Sequence, residues 1–291
     1  MTNCFCENIS EEGDFNRAFN PYLNTAIYSI QIIRTSPYKR KLMGIDRDDV
    51  EERVEDRADD IEDRLDHIPN SYSMPDLEDM TIGSAKEFRL GIVFLDIAGF
   101  TEYASSNDYE DVLFMLNMFV PEMMETVKEN DGFFEKNTGD GILVYFGAGQ
   151  EDAQTAHDVL EYLADVKLVL ANYVNPCLED YGIEPIQIKA GAAFGTVYIS
   201  RIGVHSLNRR TAVGTVANVA SKLEDKADGH EYFVSHGLRK SLSPDCGWAE
   251  YLTDKGSFGN YRWGSDSSGW EDTHYYAFTG GWAATEWDNL K

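Results

Sequence analysis

The order in which the hydrophobic period changes between residues 87 and 226 constrains this chain more than any other feature. Leu90 to Leu95 forms a buried-strand run that ends at Asp96, and a helical pattern follows from about Tyr103 to Asn130. Phe133 to Lys136 and Ile142 to Phe146 flank Thr138-Gly139-Asp140-Gly141, which predicts a hairpin. The helical period returns from Asp152 to about Tyr173. Ile186 to Tyr198, with glycines at 191 and 195, reads as strands, and Val216 to Lys226 as a short helix. The succession β-α-β-β-α-β predicts an α+β domain, an α/β sandwich of ferredoxin-like type with helices packed on one face of a mixed sheet.

Residues 1–85 have a different texture and are expected to form an N-terminal extension and linker ahead of a domain over 86–291. Tyr22 to Arg34 is apolar enough for a helix or strand and is bounded by Pro37. Asp46 to Asp66 then holds 12 acidic residues and 4 arginines, a net charge of −8 in 21 residues. Within it Val50, Val54, Ala58, Ile61 and Leu65 recur at helical spacing, giving one narrow apolar stripe. Such a stripe fits either a solvated helix lying on its own domain or a helix in a dimer seam. Pro69-Asn70-Ser71 and Met74-Pro75-Asp76 interrupt the pattern and place a linker near 67–85.

The whole chain carries 51 acidic against 25 basic residues, a formal net charge of −26. Its apolar fraction of 43% still supports a sizeable core, so the acidity is not a mark of disorder. A surface this negative argues against nucleic acid or an anionic membrane as partner. A small anionic substrate remains compatible, because metal ions and a few local cations reverse the field inside one pocket. Cys4, Cys6, Cys177 and Cys246 lack zinc-ligand spacing and read as reduced thiols. With no basic-then-apolar leader and no apolar run long enough for a bilayer, the expected location is cytoplasmic.

Two carboxylates stand out. Asp96 ends a strand and Asp140 sits between two glycines at a hairpin tip. In a ferredoxin-like sheet those strands are neighbours, so both carboxylates face one point that suits Mg²⁺ or Mn²⁺. Thr101-Glu102, after Gly99, reads as a helix start whose N–H groups would cradle phosphates. The stretches FLDIAGFTEYA at 94–104, EKNTGDGILVYF at 135–146 and VGTVANVASKLED at 213–225 resemble, in order and spacing, the three signature stretches of the class III nucleotide cyclases. The resemblance covers about residues 88–235. It implies conversion of a nucleoside triphosphate to a 3′,5′-cyclic nucleotide and pyrophosphate.

The resemblance also assigns roles. Asp96, Asp140 and the carbonyl of Ile97 would hold two divalent metal ions, and the backbone at Phe100 and Thr101 the triphosphate. Asn218 would orient the ribose. Lys222 stands where the family usually has a transition-state arginine, and it keeps the charge without the planar fork; Arg209 and Arg210 are alternatives for that work. Lys255 resembles a late triphosphate-binding lysine, or is a solvated surface residue. The family joins the early and late residue sets across a dimer, which implies a head-to-tail homodimer with two equivalent sites.

For the base, Lys136 matches the usual lysine, and Thr211 stands where many adenylate cyclases have aspartate. Threonine donates or accepts, so it discriminates weakly. The Glu and Cys typical of guanine recognition are absent. The arrangement resembles the stand-alone bacterial pyrimidine cyclases of Pycsar anti-phage systems, which implies UTP first and CTP next, and a product read by a separate effector. An adenylate cyclase and a non-catalytic nucleotide-binding module are the competing readings. The late aromatics Trp263, Trp270, Tyr275, Tyr276, Phe278, Trp282 and Trp287 are expected to pack in strands and turns that close the sheet, and His157 and His205 to be structural or solvated.

Overall fold

The computed structural model describes Asp56, Leu65 and residues 68–258, 263–265, 269–271 and 274–282. The chain divides into two compact units, Met1–Asp59 and Asp60–Lys291. The Tyr22 to Arg34 segment, Cys4, Cys6 and Trp287 lie outside the described residues. Of the acidic segment 46–66, only Asp56 and Leu65 are described, both helical and exposed.

The second unit is built on β1 (Ala85–Ile97), α1 (Phe100–Ser106), α2 (Tyr109–Glu129), β2 (Phe133–Asn137), β3 (Gly141–Phe146) and α3 (Asp152–Val169). A π-helical segment, Leu170–Val174, then leads into α4 (Asn175–Asp180). The chain continues through β4 (Ile188–Val204), β5 (Leu207–Val213), α5 (Thr215–Lys226), β6 (Tyr232–Ser235), α6 (His236–Ser241), β7 (Leu252–Ser257), β8 (Trp263–Ser265), β9 (Gly269–Glu271) and β10 (His274–Phe278). The main sheet runs β2-β3-β1-β4-β6-β10-β7, with β5 hanging on β4 and β8-β9 forming a separate pair. Its first four strands have the order of a ferredoxin-like sheet. β1 is the axis, antiparallel to β3 on one side and β4 on the other.

Strand alternation divides the core into two layers. Val93, Leu95 and Ile97 of β1, with Ile142, Val144 and Phe146 of β3, pack against α2 and α3. Leu90 and Ile92, with Leu143 and Tyr145, face the opposite side, where Val219, Ala220 and Leu223 of α5 cover them. Leu90, Ile92, Val93 and Leu95 are at most 1% exposed, and each such side chain contributes about 1.5–3 kcal/mol.

Several details depart from the sequence reading. The helix expected to run unbroken from Tyr103 divides at Asn107, whose backbone is extended and whose side chain donates to the Tyr103 carbonyl. Helix α5 covers the face opposite to α2 and α3, so helices lie on both faces. The strand expected to stop at Tyr198 continues to Val204 and turns back as β5, where exposed and half-buried residues alternate. The linker is strapped down as well. Glu87 donates its N–H to Pro69 and its carbonyl accepts from Ser71, both at 2.9 Å. Arg201 and Arg210 donate to the carbonyls of Met80 and Pro75, each at 2.7 Å. Of the late aromatics, Tyr275, Tyr276 and Phe278 stand on β10, which pairs with β6 and β7, and Tyr275 and Phe278 are buried, whereas Trp263 and Trp270 stand on the separate β8–β9 pair.

Helix α5 lies directly on the backbone of β4. A Cβ at Gly191 would stand 2.1 Å from the Ala220 carbonyl oxygen and 2.2 Å from the Glu224 nitrogen, neither of which can turn away. Gly191→Ala is expected to lower unfolding free energy by about 2–3 kcal/mol in urea titrations. At Gly247 the added Cβ meets nothing within 4 Å, so Gly247→Ala is expected to leave the midpoint in place.

Candidate active site

The site is assembled by the register of β1. Asp96 is the cross-strand partner of Gly141 on β3 and of Lys189 on β4. A Cβ at Gly141 would lie 2.8 Å from Asp96 Oδ1 and 2.7 Å from the Leu95 carbonyl, so only glycine lets the β2–β3 turn close against the aspartate. That turn is held by Thr138 N–H donating to Gly141 O at 2.8 Å and Gly139 N–H donating to Asn137 Oδ1 at 2.6 Å. Asp140 stands at its end, half-buried. Gly99, with φ +71°, then turns the chain out of β1 into α1.

Burial and the adjoining charge of Asp140 hold the Asp96 carboxyl above its ordinary range, although Lys189 works in the opposite direction. Lys189 Nζ lies 3.3 Å from Asp96 Oδ2 and 2.5 Å from Glu224 Oε1. Glu224, on α5, is 8% exposed, and its carboxyl too is raised, chiefly by burial. Lys189 and Glu224 escaped the sequence reading. One faint signal was a lone charge inside the apolar run from Ile186. Which carboxylate it meets is a matter of register, which composition does not carry.

The remaining residues fall on several elements. Ile97, which ends β1, is buried, while Phe100 packs partly against the α2–α3 layer and Thr101 is exposed. Lys136 on β2, Thr211 on β5 and Asn218 on α5 are exposed, and Lys222 is half-buried one turn beyond Asn218. Arg209 is exposed on β5. Arg210 is engaged with Glu135 at 2.7 Å and with the Pro75 carbonyl. Lys255 stands on the edge strand β7, with its ammonium 6.0 Å from the centre of the Phe233 ring. His157 belongs to the α3 surface, where Asp158 and Glu161 lie 3.4 and 3.5 Å from its Nδ1.

Adjacent carboxylates of like charge at a strand end and a glycine turn form a hard-oxygen donor set, and one lysine compensates them only in part. That chemistry fits Mg²⁺ or Mn²⁺, whose shells are completed by substrate phosphates and water.

A βαββαβ sheet bearing this pair of carboxylates defines a class III cyclase catalytic domain. Residues 84–257 match the family of the adenylate and guanylate cyclase catalytic domain, and the chain belongs to that family. It is 25% identical over 154 residues to the cytidylate cyclase of Staphylococcus aureus, covering 52% of this chain and 36% of that protein. It is 28% identical over 174 residues to a cytidylate cyclase of Escherichia coli, covering 56% and 36%. To the adenylate cyclase of Anabaena cylindrica it is 25% identical over 199 residues, covering 65% and 38%. The chain thus spans little more than a third of the length of these relatives. In fold it is similar to the adenylyl cyclase CyaB from P. aeruginosa, with TM-score 0.58 and 21% identity, covering 68% of this chain and 97% of that one. The guanylyl cyclase Cya2 gives TM-score 0.56 and 21% identity, covering 69% and 96%.

The raised Asp96 carboxyl has a consequence for stability. A carboxyl held above its ordinary 3.8 binds its proton more tightly folded than unfolded, so the fold loses stability as pH climbs through that window. In metal-free protein, Asp96→Asn is therefore expected to gain in urea midpoint over the native chain as pH rises from 4 to 7. It should also lose most of the rise in melting temperature that Mn²⁺ gives the native protein. A native midpoint that rises more steeply with pH than that of the variant would contradict the assignment.

Proposed function

We propose that this domain converts a nucleoside triphosphate to a 3′,5′-cyclic nucleotide and pyrophosphate. The observation that carries the reading is the meeting of Asp96 and Asp140 on adjoining strand ends, within a domain of the cyclase family. Two divalent ions held by Asp96, Asp140 and the Ile97 carbonyl would acidify the ribose 3′-hydroxyl and stabilise charge at the α-phosphate. The chain's own part is positioning and charge. Lys189, beside Asp96, brings a cation within reach of the triphosphate, and the backbone at Phe100 and Thr101 lines its path. Asn218 orients the ribose, and Lys222 offsets charge at the α-phosphate. Lys136 and Thr211 read the base. Lys255 is assigned to the triphosphate tail.

Asn218 and Lys222 serve the site of a second copy in a head-to-tail homodimer. Exposed apolar residues on the β4–β5 hairpin, Ile202, Val204, Leu207 and Val213, favour such self-association. Residues 1–85 are the extension and linker, and 86–291 the catalytic domain. Among the described residues no helix is long and apolar enough to cross a membrane.

A pyrimidine triphosphate is the preferred substrate. The sequence reading puts UTP before CTP, whereas the names of two relatives favour CTP. The product is a messenger for a separate effector in defence against phage. The adenylate cyclase of Anabaena cylindrica supports ATP as the second reading.

Incubation with Mn²⁺ and each of ATP, GTP, CTP and UTP, followed by mass spectrometry, is expected to yield a cyclic pyrimidine mononucleotide. Asp96→Ala and Asp140→Ala are expected to abolish product while the circular dichroism spectrum is retained. Turnover of ATP alone would transfer the reading to adenylate cyclase. Full turnover by either variant would remove the metal assignment.

A further inference from the structure

The two positions assigned to the base, Lys136 and Thr211, stand on strands that share no backbone ladder. β2 pairs with β3 at one edge of the sheet, β5 hangs on β4, and β3, β1 and β4 lie between β2 and β5. Backbone hydrogen bonds therefore join them only through three intervening strands, whereas side chains link β2 and β5 directly. Each position has an immediate neighbour in that link. Arg210 Nε donates to Glu135 Oε2 at 2.7 Å, with side chains only 13% and 6% exposed. The Arg210 guanidinium also lies 4.2 Å from the centre of the Phe133 ring on β2, and its Nη1 donates to the Pro75 carbonyl of the linker.

Glu135 has a special place in its strand. The β2–β3 register moves from Phe134↔Val144 to Lys136↔Leu143, so Glu135 is the extra residue of a bulge. A bulge re-aims the side chains that follow it and needs something to hold it. Arg210 grips the bulged residue itself. Strand alternation then leaves Lys136 and Thr211 exposed, flanking the buried pair.

We propose that Arg210 and Glu135 are a positioning pair for base selection, whose ion pair fixes the distance and facing of Lys136 and Thr211 and ties that geometry to the linker through Pro75. The inference rests on the reading of Lys136 and Thr211 as base readers. Neither Arg210 nor Glu135 need touch the nucleotide. A planar guanidinium that serves a carboxylate, a carbonyl and a ring face at once cannot be replaced by lysine without loss of that geometry.

Arg201 supplies an internal control. It is the cross-strand partner of Arg210 and donates to the linker at Met80 and to Asn208, each at 2.7 Å. It therefore holds the same hairpin and the same linker without touching β2 through those bonds.

The test uses the full chain and the 3′-deoxy forms of ATP, GTP, CTP and UTP, which bind without cyclising, with equilibrium Kd measured for each in Mn²⁺. The selectivity ratio is that of the tightest to the next tightest base. Glu135→Gln and Arg210→Gln are each expected to reduce this ratio by about tenfold, whereas Arg201→Gln leaves it within about twofold of native even where melting temperature falls. Should the neutral variants not fold, Glu135→Asp and Arg210→Lys, which keep both charges and change the geometry, are expected to reduce the ratio in the same direction. A ratio unchanged in the Glu135 and Arg210 variants, or reduced equally by Arg201→Gln, overturns the inference. Native protein that binds all four bases alike overturns it too. Lys136→Ala and Thr211→Ala separate the two levels. If they leave the ratio unchanged the base-reader assignment fails, and if they collapse it while the Arg210 and Glu135 variants do not, only the positioning pair fails.

Discussion

The pairing of β1 with β3 and β4 brings Asp96, the Asp140 turn and Lys189 together. One register sets Asp96 opposite Gly141, where the lack of a side chain admits the Asp140 turn, and opposite Lys189, whose ammonium meets Asp96 and Glu224. A slip of one residue along β1 would turn Asp96 to the other face and send Leu90 and Ile92 into the layer packed around Val93 and Leu95, and those two into the layer packed around Leu90 and Ile92. The core thereby enforces the site. Buried residues on both faces of β1 hold the register, and the register holds two carboxylates together against their mutual repulsion.

That repulsion stays in the folded protein. Burial and Asp140 both act against ionised Asp96, and Lys189 answers them while shared with Glu224. Such a cluster favours further cations, which would let a protein with net charge −26 take the polyanionic substrate proposed for it. The same cluster ties α5 to the end of β1. Because α5 also carries Asn218 and Lys222, both positions ride on a helix tied through Glu224 and Lys189 to Asp96 of its own chain.

Much of this was legible in the sequence, because local signals carried it. The Leu90–Leu95 run, the glycine-flanked Asp140 and the spacing of the helical segments gave the βαββαβ order and both carboxylates. What escaped was non-local. The break at Asn107 comes from a side chain capping a carbonyl four residues back, within an otherwise helical period. Strand β5 escaped because Asn208, Arg209, Arg210 and Thr211 are consecutive polar residues with no strand alternation of their own, and they pair only once β4 supplies a partner. Arg210 was expected near the triphosphate as a spare cation. In the structure it is committed to Glu135 and Pro75, partners distant in sequence. Lys189 and Glu224 were missed for the same reason, since cross-strand and helix-to-sheet neighbours are fixed only once the chain is folded.

The central claim is that Asp96 and Asp140 form one cation-binding centre. Anomalous diffraction from crystals grown with Mn²⁺ and a 3′-deoxynucleoside triphosphate tests it most directly. Two manganese peaks between the Asp96 and Asp140 carboxylates, with the triphosphate oxygens completing their shells, are the expected result. Manganese confined to the His157, Asp158 and Glu161 group on α3, whose ligand atoms lie within 4.8 Å of one another, would contradict the account.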